Sequence, residues 1–406
     1  MKKILLDCVD ILDFKRIPLS ANEREKMKKI YPYYGAQGII DYVEDFIFDG
    51  EYILIAEDGE NLRSLNKNIA TWATGKFWVN NHAHILGDNG NSNLRFIYYF
   101  LSSMDLRKYV TGSAQPKLNQ YNLANLEIDL PPLEIQKKIG NFLYSLDEKI
   151  SLNKKINATL EEMAKTIYDY YFVQFDFPDE NGKPYKSSGG KMIFSPELQR
   201  EIPFGWEVGN LENKISITRG ISYSSENISN SNGFPMINLA SIDRKRNYIP
   251  EGLKFFEGKI SDDKKLKAMD MLIACTDLTM KAEIIGSPIL VMNDREYIFS
   301  MDLAKLTICD KNIENLYLYM TLRTKFYHKY ITGFASGTTV LHLDTNGINL
   351  YKILIPPKNL QKKFCKVMEK IYLETCKNIS ENNLLERLRD FLLPMLMNGQ
   401  VGFKEE

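Results

Sequence analysis

The chain has 406 residues, of which 44% are hydrophobic and 26% charged, values typical of soluble globular proteins and enough length for two or three domains with cores of their own. Lysine plus arginine equals aspartate plus glutamate, 52 against 52, so net charge gives no support to nucleic-acid binding, and any DNA-binding surface would need its basic residues gathered locally or supplied by partners. No apolar run approaches the roughly 18–20 residues of a membrane span. The opening MKKILLDCVDILDF is broken by aspartates and followed by no small-residue cleavage site, so neither a membrane association nor a signal peptide is expected.

Residues 1–132 are rich in short aromatic and β-branched runs broken by Gly, Asn and Asp, such as YPYYGAQGIIDYV, EYILIAEDG and KFWVNNHAHIL. These read as short strands and turns with an occasional helix, over 94–110, and predict an α+β globule. After Pro131–Pro132 the texture changes. Ile139, Leu143, Leu146, Ile150, Leu160, Ala164, Ile167 and Tyr171 recur in alternating steps of four and three, the seam of a coiled coil. A helical spacer is therefore expected over 133–175, and from 139 to 171 it would measure roughly 50 Å at about 1.5 Å per residue. That is near one and a half turns of B-DNA at roughly 34–36 Å each, a plausible ruler. A Gly/Ser/Pro-rich connector over 173–207 opens the next segment, 176–356, which repeats the globular texture (DMLIACTDL, SPILVMN, a helix over 316–330). A second helical spacer follows at 357–402.

The two halves share one plan. IDLPPLEIQKKI at 128–139 returns as ILIPPKNLQKKF at 353–364, an offset of 225 residues (Pro131 to Pro356). NLRFIYYFLSSMDLRKYVTGSAQ, from Asn93, resembles NLYLYMTLRTKFYHKYITGFASG, from Asn315. On the seams, Asn153 and Asn157 map onto Asn378 and Asn382, among Phe364, Met368, Ile371, Leu385 and Leu392. Asparagines buried on a seam seek each other and fix register. Paired rods are expected to bring Asn153 and Asn157 against Asn378 and Asn382; two unpaired amphipathic core helices with tolerated asparagines would be the alternative.

The connector FVQFDFPDENGKPYKSSGGKM with IPFGWEVGNL, the TGSAQPKLN loop, PPLEIQKKI, the tail PMLMNGQV and the opening KRIPLS…YPYYGAQGIIDYVEDFIFDGEYILIAEDG resemble the specificity subunits of type I restriction–modification systems. The resemblance spans essentially the whole chain. It implies an α+β fold in which two globular target-recognition domains alternate with two long helices, paired as an antiparallel coiled coil in a pseudo-two-fold internal repeat. It further implies that each domain reads one half of a bipartite double-stranded DNA site. Methyltransferase subunits using S-adenosylmethionine and motor–nuclease restriction subunits using ATP, with magnesium, would dock as partners and hold the cofactors that this chain does not bind.

The search for chemistry in the chain itself agrees with a non-catalytic role. Both Pro-Pro pairs lack the preceding polar residue of an adenine methyltransferase loop, and no G-x-x-x-x-G-K-[ST] motif occurs. Pro178–Asp179 is similar to the start of a nuclease motif, but Glu180 to Lys183 has the wrong spacing. The five cysteines are scattered and nowhere form C-x-x-C, which fits a reducing compartment, the cytoplasm, rather than a disulfide or zinc framework. His82 and His84 would share a strand face but lack further ligands for a metal; packing or a DNA-backbone contact is the expected role.

Candidate DNA contacts are polar and basic residues in Gly-flanked loops, because Gln and Asn pair bidentately with adenine and Lys or Arg with guanine or phosphate. In the first half these are Arg63, Lys67, Ser113, Gln115, Lys117, Asn119 and Gln120. In the second they are Arg219, Ser222, Tyr223, Arg244, Lys245, Arg246, Thr276, Lys281, Ser336, Thr338 and Thr339. The run 244–246 reads as a phosphate clamp, since three adjacent charges cannot face one base edge. Two rival functions use the same scaffold: a stand-alone DNA-binding regulator or decoy, and a methyltransferase or nuclease fused to recognition domains.

Overall fold

A computed structural model of the chain describes residues 2–59, 62, 69–112, 116–229, 232–293 and 295–403. The chain forms two compact units, Met1–Asn153 with Ser380–Glu406, and Lys154–Ile379. Each unit therefore combines one globule with half of each long helix.

In the first unit a six-stranded sheet runs in the order Val9–Ile11, Ala83–Asp88, Phe48–Ala56, Ala70–Val79, Tyr31–Gly35, Gly38–Val43. Neighbours are antiparallel except for Tyr31–Gly35, which lies parallel to Ala70–Val79. Helix Leu94–Ser103 packs its buried Phe96, Ile97 and Leu101 into a core shared with Ile53, Leu86, Ile139, Leu143 and Leu396. The expected helix over 94–110 breaks after Ser103, because the Asp105 carboxylate accepts from the Arg107 backbone N–H and starts a separate 3₁₀ turn, Leu106–Tyr109. Gly140 permits the close approach of the long helix here: a Cβ on it would fall 2.8 Å from the Phe96 nitrogen.

The second unit has two four-stranded sheets. One orders Ile215–Arg219, Leu303–Ile308, Met271–Ala274, Pro288–Leu290, all antiparallel; the other orders Ile228–Ser229, Lys254–Phe256, Phe234–Ile237, Ile298–Phe299. The helix expected over 316–330 is two helices, Asn315–Leu322 and Lys325–Ile331. Thr324 ends the first and caps the second, its side chain accepting from Tyr327 N–H at 3.2 Å.

Both long helices form: Leu133–Tyr168, continued by a π turn at Asp169–Val173, and Lys358–Met397. Their buried positions follow the 3.5-residue stripe. In the first unit Leu143, Leu146, Ile150 and Asn153 are buried on one helix, and Asn382 and Leu396 on the other. Arg389 reaches Asp147 at 2.7 Å and Asn153 Nδ2 donates to Asn382 Oδ1 at 2.9 Å, so ascending numbers on one rod meet descending numbers on the other. In the second unit the same sense holds, with Asn378 Nδ2 donating to Asn157 Oδ1 at 2.8 Å. The rods are an antiparallel coiled-coil pair with both asparagine notches matched. No helix among the described residues is long and apolar enough to cross a membrane.

The notches carry a prediction. Asn153→Leu alone leaves the buried Asn382 Oδ1 without its donor and should cost about 1–3 kcal/mol. Asn153→Leu combined with Asn382→Leu should recover most of that loss, since two leucines fill a seam without a polar debt. Urea titrations of the four members of the cycle, with the first unit followed by pulsed hydrogen exchange, check it; losses that simply add would show that the two amides do not interact.

Candidate nucleic-acid interface

Each unit builds a small ladder of three segments from distant parts of the chain. In the second unit Thr276–Asp277 pairs antiparallel with Leu341–Leu343, which pairs with Ala335–Ser336. In the first, Asp58 and Thr111 both bridge to Lys117. The root bonds coincide: Leu118 N–H donates to Glu57 O at 2.8 Å and Leu343 N–H to Cys275 O at 2.9 Å. Thr111, Lys117 and Leu118 stand at the same 225-residue offset from Ser336, His342 and Leu343 as the prolines do. Antiparallel pairing sends the chain beyond Asp277 out at the edge where the turn over 337–340 sits. Likewise, the chain beyond Asp58 leaves at the edge of Gly112 and Pro116. In the second unit two loops thus issue from one edge of the ladder and carry Lys281, Thr338 and Thr339; in the first, the chain leaves the corresponding edge after Asp58 and after Gly112.

Arg63, Lys67, Ser113 and Gln115 lie outside the described residues. Lys117 is exposed, and its ammonium is 2.8 Å from Glu57 Oε1. Glu57 also holds Arg16, and although burial pushes its carboxyl upward, the hydrogen bonds from Lys117 and Arg16 win and keep it below its usual pKa. Asn119 is half-buried and caps a helix, its side-chain carbonyl accepting from Asn122 N–H at 2.8 Å. Gln120 follows it, exposed.

In the second unit Ser336, Thr338 and Thr339 are exposed along the turn, and Lys281 is exposed on the neighbouring loop. Arg244, 83% exposed, sits 3.7 Å from Glu283 of that loop, with Lys245 exposed beside it. The proposed three-charge clamp does not form. Arg246 takes a left-handed backbone, φ 69°, and folds inward, donating to the Arg323 carbonyl at 3.2 Å. Burial, with the neighbouring Arg323 charge, lowers its pKa. Thr276 is also corrected: it is 4% exposed within the ladder, so it supports the loops and cannot reach a base. Arg219 places a guanidinium nitrogen 3.4 Å from the Leu343 carbonyl, at the ladder root. Ser222 is exposed, and the half-buried Tyr223 carries Lys254 above its ring, 5.5 Å from the centroid.

Three supporting residues lie behind the candidates: His84, for which packing was the expected role, and Asp13 and Arg323, which the sequence reading missed. His84 is buried, with ring nitrogens 2.5 Å from Asp13 Oδ2 and 2.7 Å from the Leu118 carbonyl. It thus holds in the first unit the root carbonyl that Arg219 approaches in the second. His82 does not share its strand face: it precedes the strand Ala83–Asp88 and pairs with Asp58 at 2.7 Å. Asp13, whose second oxygen accepts from Ile85 N–H at 3.0 Å, orients His84. Arg323 fastens the 243–247 turn, donating to the Arg246 carbonyl at 2.6 Å and Asn247 Oδ1 at 2.7 Å, and it also pairs with Glu161 on the long helix. A sequence signal existed only for His84, in the H-x-H pair.

Comparison with known proteins agrees with this architecture. The sequence matches the family described as the type I restriction modification DNA specificity domain over residues 5–162 and 203–387. It is 28% identical over 374 residues to a putative type I restriction enzyme specificity subunit of Haemophilus influenzae, covering 91% of this chain and 86% of that one. It is 26% identical over 324 residues to the MjaIX specificity subunit of Methanocaldococcus jannaschii, covering 76% and 69%. The crystal structure of a type I restriction–modification S subunit from M. genitalium superposes with a TM-score of 0.65 at 16% identity, covering 100% of this chain and 96% of that one, a likeness of fold. With well over half its length matched in two tandem segments, the chain belongs to the type I restriction modification DNA specificity domain family.

Proposed function

We propose that this chain chooses the DNA sequence for a type I restriction–modification complex, each unit reading one half of a bipartite site through the loops at its ladder edge. The observation that carries the reading is the duplication of that edge: a three-segment ladder recurs in both units, with Thr111 and Lys117 at the same offset from Ser336 and His342 as the helix starts. Chemistry belongs to partners in this reading. Methyltransferase subunits supply S-adenosylmethionine and methylate adenine, restriction subunits supply ATP- and magnesium-dependent cleavage, and the assembly works in the cytoplasm.

The test is methylome sequencing of cells expressing the chain with its methyltransferase subunit, before and after residues 200–355 are exchanged for those of a relative. A bipartite motif is expected, with one half altered by the exchange and the other intact. Change in both halves would contradict independent reading. The purified chain with DNA, S-adenosylmethionine and magnesium is expected to give neither methylation nor cleavage; either activity would favour a fused enzyme. Tight DNA binding without any stable methyltransferase association would favour a regulator.

A further inference from the structure

The loop leaving the second unit's ladder has a feature that hydrogen-bonding readout does not use. Leu278 is 67% exposed and Met280 59% exposed, two large apolar side chains within three residues of each other on a loop of a soluble domain. The loop is nonetheless well tied. Asp277, 2% exposed, accepts from the Thr279 N–H and hydroxyl and from the Ile284 N–H, each at 2.8 Å. Ala282 holds a left-handed backbone at φ 53°, a conformation that costs of order 1–3 kcal/mol outside glycine and persists only where surroundings enforce it. The fold therefore spends internal hydrogen bonds and backbone strain to keep an apolar tip in water.

What flanks the tip identifies its partner. Lys281 is exposed next to Met280, Arg244 reaches the loop at Glu283, and Lys245 is exposed beside Arg244. The polar turn with Ser336, Thr338 and Thr339 leaves the same ladder edge. An apolar point set among cations and hydroxyls matches DNA: charged groups grip phosphates, while leucine and methionine wedges enter between base pairs and unstack a step. Resting on the DNA-reading role above, we propose that Leu278 and Met280 form a wedge that inserts into the half-site read by the second unit, with Lys281 on the adjacent phosphate. The half-site would then be selected partly by how readily one of its steps unstacks, a choice that no hydrogen-bonding residue expresses.

The experiment uses the full chain copurified with its methyltransferase subunit, and a duplex bearing the motif recovered by methylome sequencing. 2-Aminopurine is placed in turn at each position of the second unit's half-site except the methylated adenine. The expected result is a fluorescence rise at one step with the unaltered chain. In the L278S/M280S variant that rise is lost and affinity falls roughly tenfold to hundredfold, as expected for one or two apolar side chains no longer buried, with the salt dependence unchanged. K281A should keep the rise and lower the salt slope by about one. A double variant that is folded by circular dichroism and retains both the rise and the affinity overturns the wedge. So does a double variant that loses its methyltransferase subunit on purification while a re-added subunit restores normal DNA affinity, which makes the tip a protein contact. A wild-type complex that binds no specific duplex would instead refute the DNA-reading role itself.

Discussion

A Phe172→Ala variant is expected to lose about 3–5 kcal/mol of stability, the range for deleting a fully buried phenyl ring. Phe172 is 2% exposed in the π turn that ends the first long helix. Its ring centroid lies 4.8 Å from Tyr317, 4.9 Å from Phe364, 5.3 Å from Tyr168, 5.7 Å from Tyr171 and 6.1 Å from Trp206. These rings belong to the helix Asn315–Leu322, to the second long helix, to the first helix and its π turn, and to the connector. One side chain thus joins both long helices, the helix Asn315–Leu322 and the connector within the core of the second unit. Collapse cannot refill the space, because the surrounding rings are themselves anchored: Tyr317 donates to the Leu354 carbonyl at 2.7 Å and Tyr168 to Thr321 Oγ1 at 3.1 Å. Because the chain has two compact units, a single unfolding midpoint is a poor measure. Hydrogen exchange resolved by segment is the check: protection should fall across 154–379 while the sheet of the first unit keeps its own. A loss under about 1 kcal/mol would show that the rings repack.

The long-range plan of the molecule was legible in the chain because it rests on periodicity. A 3.5-residue repeat specifies which face of each rod is buried whatever the rods meet, so Ile139 through Ala164 and Phe364 through Leu392 fall on the seam as read. The seam positions missed are polar ones whose repeat counterparts are apolar, Ile150 for Thr375 and Ala164 for Arg389. Thr375 lies between Ile371 and Asn378 and its carbonyl receives Asn157 Nδ2 at 3.5 Å, while Arg389 is tied to Asp147. The loops resisted reading for the opposite reason. Whether a residue at a loop root faces solvent depends on pairing with segments tens of residues away: Thr276 is buried because His342 pairs with it. Arg246 turns inward because Arg323 catches its carbonyl. Asn119 was different, since a cap is a local event and an asparagine before QYNLA could have been read as one. Leu278 and Met280 were passed over because exposed apolar residues carry no sequence signature apart from the burial they fail to achieve.

The repeated Gln136 and Gln361 carry the second large effect. Both are buried, at 3% and 0% exposure, in the first turn of a long helix. Gln361 Oε1 accepts from the Glu314 N–H at 2.9 Å, and its Nε2 donates to the carbonyls of Pro356 and Asn312 at 2.8 Å each. Gln136 does the same work in the first unit, accepting from Asn93 N–H at 3.0 Å and donating to the Pro131 carbonyl at 2.8 Å. In each case one amide satisfies the backbone donor ahead of a packed helix and the carbonyl that starts the Pro-Pro turn, groups that would otherwise be buried unpaired. Gln361→Leu keeps the volume and strands three backbone groups, at about 1–3 kcal/mol each before any water enters, so a loss of roughly 3–6 kcal/mol is expected. Gln136→Leu strands two and should cost less. Gln361→Glu separates hydrogen bonding from packing: the carboxylate can still accept from Glu314 N–H, but its other oxygen faces two carbonyls. That repulsion is relieved when the side chain is protonated and donates, so the deficit of Gln361→Glu relative to wild type should shrink as pH falls toward 4. Urea melts of the three variants at neutral and acid pH, with each unit followed separately by pulsed hydrogen exchange, decide it. If Gln361→Glu were as stable as wild type at neutral pH, the two carbonyl bonds would have to be energetically idle and the helix starts held by packing alone.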